Sequence, residues 1–263
     1  MRNAEFDVCE MPLVTYLVAR AAGRPLNALP VFLVRVLPQF LMYVNRNVVS
    51  KASDLEGQRV GVRAYTVTAG VWGRIVLRAD HEVDPGTITW VAADDEHVLE
   101  YQPPTNTDVV KGANLGEMLD AGELAAVIGV GLDLTPLRNV EPLFPQPAEA
   151  ALSWLGRGLP YPLNHTVVMR SDLLGRHPDL APALYEALGE AKRISANDPP
   201  ETIATSSGTR EDERAFALEQ VEAHPLQYGL EPNRKTLEFL LDHAVDQKLL
   251  VGRPVVDEFF SGM

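Results

Sequence analysis

Two ionisable side chains stand inside apolar segments, where a charge needs a partner. Arg35 lies between two valines in ALPVFLVRVLPQFLMYV, residues 28–44. Its guanidinium must reach water, an acidic side chain in an interlobe salt bridge, or a ligand. The planar guanidinium can donate two parallel hydrogen bonds to a carboxylate. His165 lies in the strand-like segment LNHTVVM, residues 163–169. It either bonds to the backbone of a half-buried strand or acts as an acid or base.

A second group of candidates opens a helix. Tyr65, Thr66 and Thr68 follow the strand predicted at residues 59–63. Free backbone N–H groups at a helix start bind anions, and threonine hydroxyls add donors. The alternative is ordinary capping of the helix.

Four more side chains are secondary candidates. Trp72 and Arg74 continue the same helix, where tryptophan is usually a core residue and arginine usually a solvated charge. Glu10 ends the first predicted strand, a position where ligand sites of α/β proteins gather; it either accepts a proton or caps the next helix. Tyr228 opens the turn YGLEPNRK and either reaches the mouth of a cleft or packs structurally.

Composition excludes several classes of function. The formal net charge is −13, which disfavours nucleic acid and anionic membranes as partners. Any attraction for an anionic ligand must therefore come from a local basic site. Cys9 is the only cysteine, so neither an intrachain disulfide nor a cysteine-based zinc site can form. The remaining histidines show no metal-ligand spacing, so we predict no metal site.

The order of elements predicts an α/β protein with two lobes. Strands and helices alternate through the first two thirds of the chain, which favours parallel sheets covered on both sides. Residues 94–111 are polar and contain two prolines, which predicts a loop. After residue 170 the pattern is almost entirely helical, including a helix near residues 210–223, so we expect the tail to wrap back across the lobes. No segment resembles a signal peptide, so we expect a cytoplasmic protein.

Several segments together resemble the 4,5-dihydroxyphthalate decarboxylase family. They are EFDVCEM, LPVFLVR, YTVTAGVWGR, ITWV, HTVVMR and YGLEPNRKTLE, which run from Glu5 almost to the C-terminus. The resemblance implies a type II periplasmic-binding-protein-like fold, in which two lobes close on a small ligand. We expect residues 1–47 in lobe I, residues 48–162 in lobe II, and residues 163–263 in the return to lobe I and the C-terminal helices.

The same resemblance implies a reaction. Members remove CO2 from a small aromatic dicarboxylate such as 4,5-dihydroxyphthalate, giving protocatechuate. No organic cofactor is expected, because the ring itself holds the developing charge. With the resemblance, the acid–base and structural interpretations of His165 have equal support. His165 is then the candidate proton donor, and Glu10 is the candidate acceptor of a phenol proton. Arg35 and the helix start would hold carboxylates, and Tyr65 would contact the phenol.

The chain also departs from the family pattern. After the arginine that matches Arg35 the family continues with an aromatic residue, an arginine and a histidine, where this chain has Leu37, Pro38 and Gln39. The tryptophan expected before the YG pair is absent at residues 226–227. Loss of a cation and of an acid–base group favours the alternative function, a non-catalytic solute-binding protein for a small anion.

The family carries an earlier strand and helix that this chain lacks. We therefore expect a misplaced start or a truncated gene product. If the protein truly begins at Met1, we expect an unstable first lobe or a homo-oligomer, because losing an interior strand leaves its neighbours unpaired.

Overall fold

A computed structural model describes residues 5–129, 137–197, 226–252 and 254–260. Its strands are β1 (Val8–Pro12), β2 (Leu26–Phe32), β3 (Met42–Asn45), β4 (Arg59–Val62), β5 (Thr89–Ala92), β6 (Thr107–Val109), β7 (Ala126–Ile128), β8 (Val140–Pro142) and β9 (His165–Arg170). Its α-helices are α1 (Leu13–Ala21), α2 (Thr68–His81), α3 (Leu115–Asp120), α4 (Pro147–Gly156), α5 (Ser171–Arg176), α6 (Leu180–Asn197), α7 (Arg234–Asp246) and α8 (Val256–Phe259). Short 3₁₀ turns lie at Pro38–Phe40, Ala52–Leu55 and Glu231–Asn233.

The smaller sheet consists of β1, β9 and β2 in that order, and its pairs are antiparallel. The prediction of parallel sheets was wrong here, since the last strand returns from the other lobe and runs against the first two. Glu10 pairs with Val167, and Pro12 with His165. Because alternate side chains share a face of a strand, Glu10 and His165 lie on one face. Met11 is the one residue of β1 that is fully buried.

The larger sheet has the strand order β6-β5-β4-β7-β3-β8. The first four of these strands are parallel, whereas β3 runs antiparallel to both β7 and β8. Since β3 belongs to this sheet, the chain crosses between lobes after Phe32 and before Met42, earlier than the expected boundary at residues 47–48. The return falls between α4 and β9.

Helix α2 joins the larger sheet to the rest of the molecule. Residues 68–77 of this helix are all buried, because its first turns lie between the sheet and the C-terminal helices. Gly73 permits the close approach to the sheet: a β-carbon there would lie 2.6 Å from Cγ2 of Ile128. Glycine inside a helix loses more backbone conformational entropy on folding than alanine does, and the close packing against Ile128 requires it here.

The C-terminal helices pack across the earlier elements, as predicted. Phe239 of α7 stacks on Trp72 with ring centroids 6.2 Å apart. The rings of Phe259 and Phe260 contact Tyr16 of α1, and the Tyr16 hydroxyl donates a hydrogen bond to the Phe259 carbonyl. Helix α7 and the residues at Phe259 and Phe260 therefore pack against α2 and α1, respectively.

Two short strands were missed in the sequence. β6 lies in the segment predicted as a loop, and β8 precedes α4; each has three residues and no fully buried position, so neither shows apolar alternation. The helix predicted near residues 210–223 lies outside the described residues. Within the described parts of the chain, every helix is too short or too polar to cross a bilayer.

Candidate functional site

The end of β1 and the beginning of β9 bring together the two predicted catalytic residues. His165 Nδ1 lies 2.7 Å from Glu10 Oε1, and their side chains are 35% and 48% exposed. A carboxylate bonded to one ring nitrogen fixes the orientation of the imidazole and favours a proton on that nitrogen. The other ring nitrogen, Nε2, is then positioned to exchange a proton with a ligand.

Arg35 is held close to this pair by backbone hydrogen bonds. The N–H of Leu33 donates to the His165 carbonyl at 3.2 Å, and the N–H of Asn164 donates to the Val34 carbonyl at 2.9 Å. The side-chain oxygen of Asn164 accepts from the N–H of Val36 at 2.9 Å. The segment on either side of Arg35 is thus fixed to the first residues of β9.

The guanidinium of Arg35 stacks on an aromatic ring. Its central carbon lies 3.7 Å from the ring centroid of Tyr161, a cation–π distance. Burial lowers the pKa of Arg35 to about 10, and the ring hydroxyl of Tyr161 partly opposes the shift. Arg35 therefore remains a cation at neutral pH.

A second cation, not predicted from the sequence, lies near Arg35. Burial and then the positive charge of Arg35 lower the pKa of Lys192 on α6. Its Nζ lies 4.4 Å from the ring centroid of Tyr228. An open groove of about 770 Å³ is lined in part by Tyr185, Lys192 and Tyr228. Lys192 has no local sequence signal, because a lysine on a polar helix face looks like any solvated charge.

Tyr228 occupies a defined position beside the smaller sheet. The N–H of Gly229 donates to the Pro30 carbonyl at 2.8 Å, which holds the turn against β2. Burial raises the pKa of the Tyr228 hydroxyl, and Tyr185 adds to the shift. The structure thus places Tyr228 in the groove beside Lys192, and its contact with a ligand stays a prediction.

The predicted anion site at the start of α2 already holds a carboxylate. The N–H groups of Tyr65 and Thr66 donate to Glu96 at 2.6 and 3.1 Å, and the Thr66 hydroxyl donates to the same carboxylate. The Thr68 hydroxyl accepts a hydrogen bond from the N–H of Val14 at 3.0 Å. Glu96 was missed because it lies in the polar segment predicted as a loop, and only the fold brings it to the helix.

Trp72 and Arg74 have structural partners. Trp72 is fully buried and donates its indole N–H to the Leu163 carbonyl at 3.1 Å. Arg74 is also fully buried; its Nε donates to Gln247 and its Nη2 donates to the Tyr65 carbonyl, each at 2.6 Å. Burial lowers the pKa of Arg74. These contacts favour the packing interpretation for both residues.

Tyr65 is fixed in the same network. Its ring lies 4.0 Å below the Arg74 guanidinium, and its hydroxyl donates to the Gln247 carbonyl at 3.3 Å. The predicted contact of this hydroxyl with a phenol would require Tyr65 to leave that carbonyl. In the described part of the chain, no group of three or more His, Cys, Asp or Glu side chains is arranged to hold a metal ion.

Comparison with curated proteins identifies relatives, although no family model matches the chain. The 4,5-dihydroxyphthalate decarboxylase of Comamonas testosteroni is 32% identical over 217 residues, covering 78% of this chain and 66% of the relative. The 4,5-dihydroxyphthalate decarboxylase of Pseudomonas putida is 37% identical over 145 residues, covering 49% of this chain and 54% of the relative. The match thus spans just under two thirds of the length of the first relative and about half of the length of the second.

Solved structures share the two-lobed fold at low sequence identity. The ligand-binding component of an ABC-type import system from Staphylococcus aureus has a TM-score of 0.59 at 12% identity, covering 98% of this chain and 79% of that chain. The aliphatic sulphonate binding protein SsuA of Escherichia coli has a TM-score of 0.55 at 11% identity, covering 98% and 76%. The desulfurization enzyme DSZB has a TM-score of 0.52 at 16% identity, covering 97% and 82%.

These structures confirm the predicted periplasmic-binding-protein-like fold, and DSZB shows that the fold also supports an enzyme. Sequence identity to the two curated decarboxylases adds the narrower relationship. The chain is similar in sequence to the 4,5-dihydroxyphthalate decarboxylase family.

Proposed function

We propose that the protein is a non-oxidative decarboxylase of small aromatic dicarboxylates such as 4,5-dihydroxyphthalate, giving protocatechuate and CO2. The observation that carries this proposal is the Glu10–His165 pair, 2.7 Å apart. The segment around Arg35 is hydrogen-bonded to residues 164 and 165, directly beside this pair. Sequence similarity to two curated decarboxylases supports the reaction class, and a cytoplasmic location is part of the proposal.

The proposed reaction moves two protons and one electron pair. Glu10 accepts the proton of a phenol hydroxyl, which raises electron density at the para carbon. Protonated His165 gives its proton to that carbon. The bond to the carboxylate then breaks, CO2 leaves, and the electron pair restores the aromatic ring as a phenolate. Glu10 returns its proton to the phenolate and His165 takes one from water, so each turnover consumes one proton.

Arg35 and Lys192 are the proposed carboxylate-binding residues. Arg35 is partly buried and its segment is fixed to residues 164 and 165, so little of its freedom remains to be lost on binding. Arg35 is half-buried and Lys192 is exposed, and the charge of Arg35 contributes to the lowered pKa of Lys192; an anionic ligand between them would favour both charged forms. The aromatic faces of Tyr161 and Tyr228 adjoin these cations and would pack against a flat ring.

A non-catalytic solute-binding protein is the second candidate. Pro38 and Gln39 replace a cation and an acid–base group of the family pattern, and proteins that bind sulphonates share the fold. In that case Arg35 and Lys192 would still hold an anion, but the Glu10–His165 pair would be structural.

The test compares turnover and binding in matched histidine variants. Purified protein is mixed with 4,5-dihydroxyphthalate, and protocatechuate is followed by chromatography. We expect His165→Ala to lower kcat by roughly 10²–10⁴-fold while the Kd for phthalate, measured by calorimetry, changes less than about threefold. His177→Ala is the control, because His177 is exposed just after α5 and has no part in the proposed site.

The outcomes separate the two candidates. Unchanged turnover in His165→Ala would remove His165 from the mechanism. Absence of product from the folded, unaltered protein would refute decarboxylation, and phthalate binding in that protein would favour the solute-binding function.

A further inference from the structure

Residues 161–165 lead from α4 into β9 and contact both halves of the proposed site. The ring of Tyr161 stacks on the Arg35 guanidinium at 3.7 Å, and His165 bonds to Glu10 at 2.7 Å. Asn164 lies between Tyr161 and His165 in the chain and is buried. One short segment therefore touches the proposed carboxylate-binding cation and also carries the proposed proton donor.

Asn164 binds the chain on both sides of Arg35. Its N–H donates to the Val34 carbonyl, and its Oδ1 accepts from the N–H of Val36, each at 2.9 Å. Its own carbonyl accepts from the N–H of Leu13 at 2.7 Å, where β1 ends and α1 begins. The backbone of Arg35 is thus held at two points by the residue that directly precedes His165.

We infer that Asn164 is a positioning residue that holds Arg35 at the distance from His165 which the ligand requires. This inference rests on the proposed function. A carboxylate bound by Arg35 fixes one end of a rigid ring, and the carbon that receives the proton must then lie within reach of His165. An error of about 1 Å in such an arrangement can lower the rate about 10²-fold.

The side chain of Asn164 has a specific part in this arrangement. Its two main-chain hydrogen bonds need only a backbone N–H and a carbonyl, which alanine also supplies. The bond to the N–H of Val36 needs a side-chain acceptor, which the amide oxygen of asparagine provides and alanine lacks. Asn164→Ala therefore releases one side of Arg35 and leaves the other side attached.

The test asks whether the effect of Asn164→Ala on ligand binding depends on Arg35. The Kd for phthalate is measured by calorimetry in the full chain, in Asn164→Ala, in Arg35→Ala and in the variant with both changes. The kcat for 4,5-dihydroxyphthalate is measured in the full chain and in Asn164→Ala. Thr166→Val is the matched control, because the buried Thr166 hydroxyl donates to the Leu29 carbonyl at 2.8 Å, a bond that does not flank Arg35.

We expect Asn164→Ala to weaken phthalate binding roughly tenfold and to lower kcat by about 10–100-fold. In the Arg35→Ala background the same change should alter the Kd less than about twofold, because coupled residues lose their effect when the partner is absent. Thr166→Val and Asn164→Ala should each lower the unfolding midpoint by about 2–4 °C, but Thr166→Val should leave phthalate binding unchanged. Asn164→Ser, whose shorter side chain does not reach as far, should show the same dependence on Arg35 if Asn164→Ala does not fold.

The outcomes separate this inference from the proposed function. Equal effects of Asn164→Ala with and without Arg35 would make Asn164 a structural residue and leave the proposed function intact, as would an equal loss of phthalate binding in Thr166→Val. Coupling of Asn164 to Arg35 in an unaltered chain that forms no protocatechuate would refute decarboxylation but support the positioning of Arg35. An unaltered chain that neither binds phthalate nor forms protocatechuate would refute both.

Discussion

Replacing Glu96 by alanine should destabilise the protein by about 3 kcal/mol, because this carboxylate accepts three hydrogen bonds from the loop before α2. The donors are the N–H groups of Tyr65 and Thr66 and the Thr66 hydroxyl. Tyr65 and Thr66 are 3% and 0% exposed, so bulk water does not reach these donors in the native protein.

The magnitude follows from the cost of leaving those donors unpaired. Each buried donor without a partner costs about 1–3 kcal/mol, which gives about 3–9 kcal/mol for three. Glu96 is itself partly exposed, so its removal opens a path for water and the lower end applies. A loss of about 3 kcal/mol corresponds to a fall of roughly 6–12 °C in the unfolding midpoint for a chain of this size.

The assay is thermal unfolding with chemical rescue. Asp95→Ala is the matched control, because Asp95 is the adjacent carboxylate and its ion pair with Lys111 lies on the surface, where such pairs contribute about 0–1 kcal/mol. Formate should enter the space left in Glu96→Ala and accept the same hydrogen bonds. At ten times its Kd it would restore about 1.4 kcal/mol, or roughly 3–6 °C, whereas sodium chloride at equal ionic strength would not.

Two results would refute this reasoning. If Glu96→Ala lowers the midpoint no more than Asp95→Ala does, the loop is secured by other contacts. If formate stabilises the unaltered protein as much as Glu96→Ala, then the anion binds somewhere other than the vacated position.

Two further predictions concern stability. Burial lowers the pKa of His81, Asp80 opposes this shift and Arg157 adds to it. The folded protein therefore favours the neutral imidazole more than the unfolded chain does. The resulting contribution to stability is complete above the unfolded pKa of about 6.5 and is lost as the pH falls below that value. His81→Gln should therefore flatten the fall of the unfolding midpoint between about pH 6.5 and 5, and an unchanged slope would contradict this. Gly73→Ala should cost about 1–3 kcal/mol in urea unfolding, because its β-carbon would meet Ile128 at 2.6 Å. Gly189→Ala, with open space around it, should instead stabilise α6 by about 0.5–1 kcal/mol; equal effects of the two changes would refute the packing argument.

The local elements could be predicted from the sequence, whereas the pairing between distant strands could not. The strand predicted at residues 59–63 lies within one residue of the bounds of β4, and the helix predicted to follow it is observed as α2. The crossing after β2 was misplaced, because an apolar segment broken by Arg35 and Pro38 looks the same whether the chain turns within one sheet or leaves for another. Antiparallel pairing of β9 with β1 depends on the return of the chain, which no local pattern encodes.

The candidate site shows the same division between local and long-range information. Glu10 was identified because strand ends in α/β proteins gather ligand-binding groups, and His165 because it is an ionisable residue in a strand-like apolar segment. Their direct contact depends on the register of β1 against β9. Glu96 and Lys192 carry no local signal. Each is an ordinary charged residue in a polar segment, and each gains its significance from a partner more than twenty residues away in the chain.

The acidity of the chain is compatible with the proposed binding of an anion by Arg35 and Lys192. Charges separated by more than about 10 Å are largely screened at physiological salt, so the net charge of −13 acts weakly across the molecule. Arg35 and Lys192, in contrast, lie close enough for the charge of one to lower the pKa of the other. Under the proposed function, a ligand with negative charge between them would reduce that repulsion.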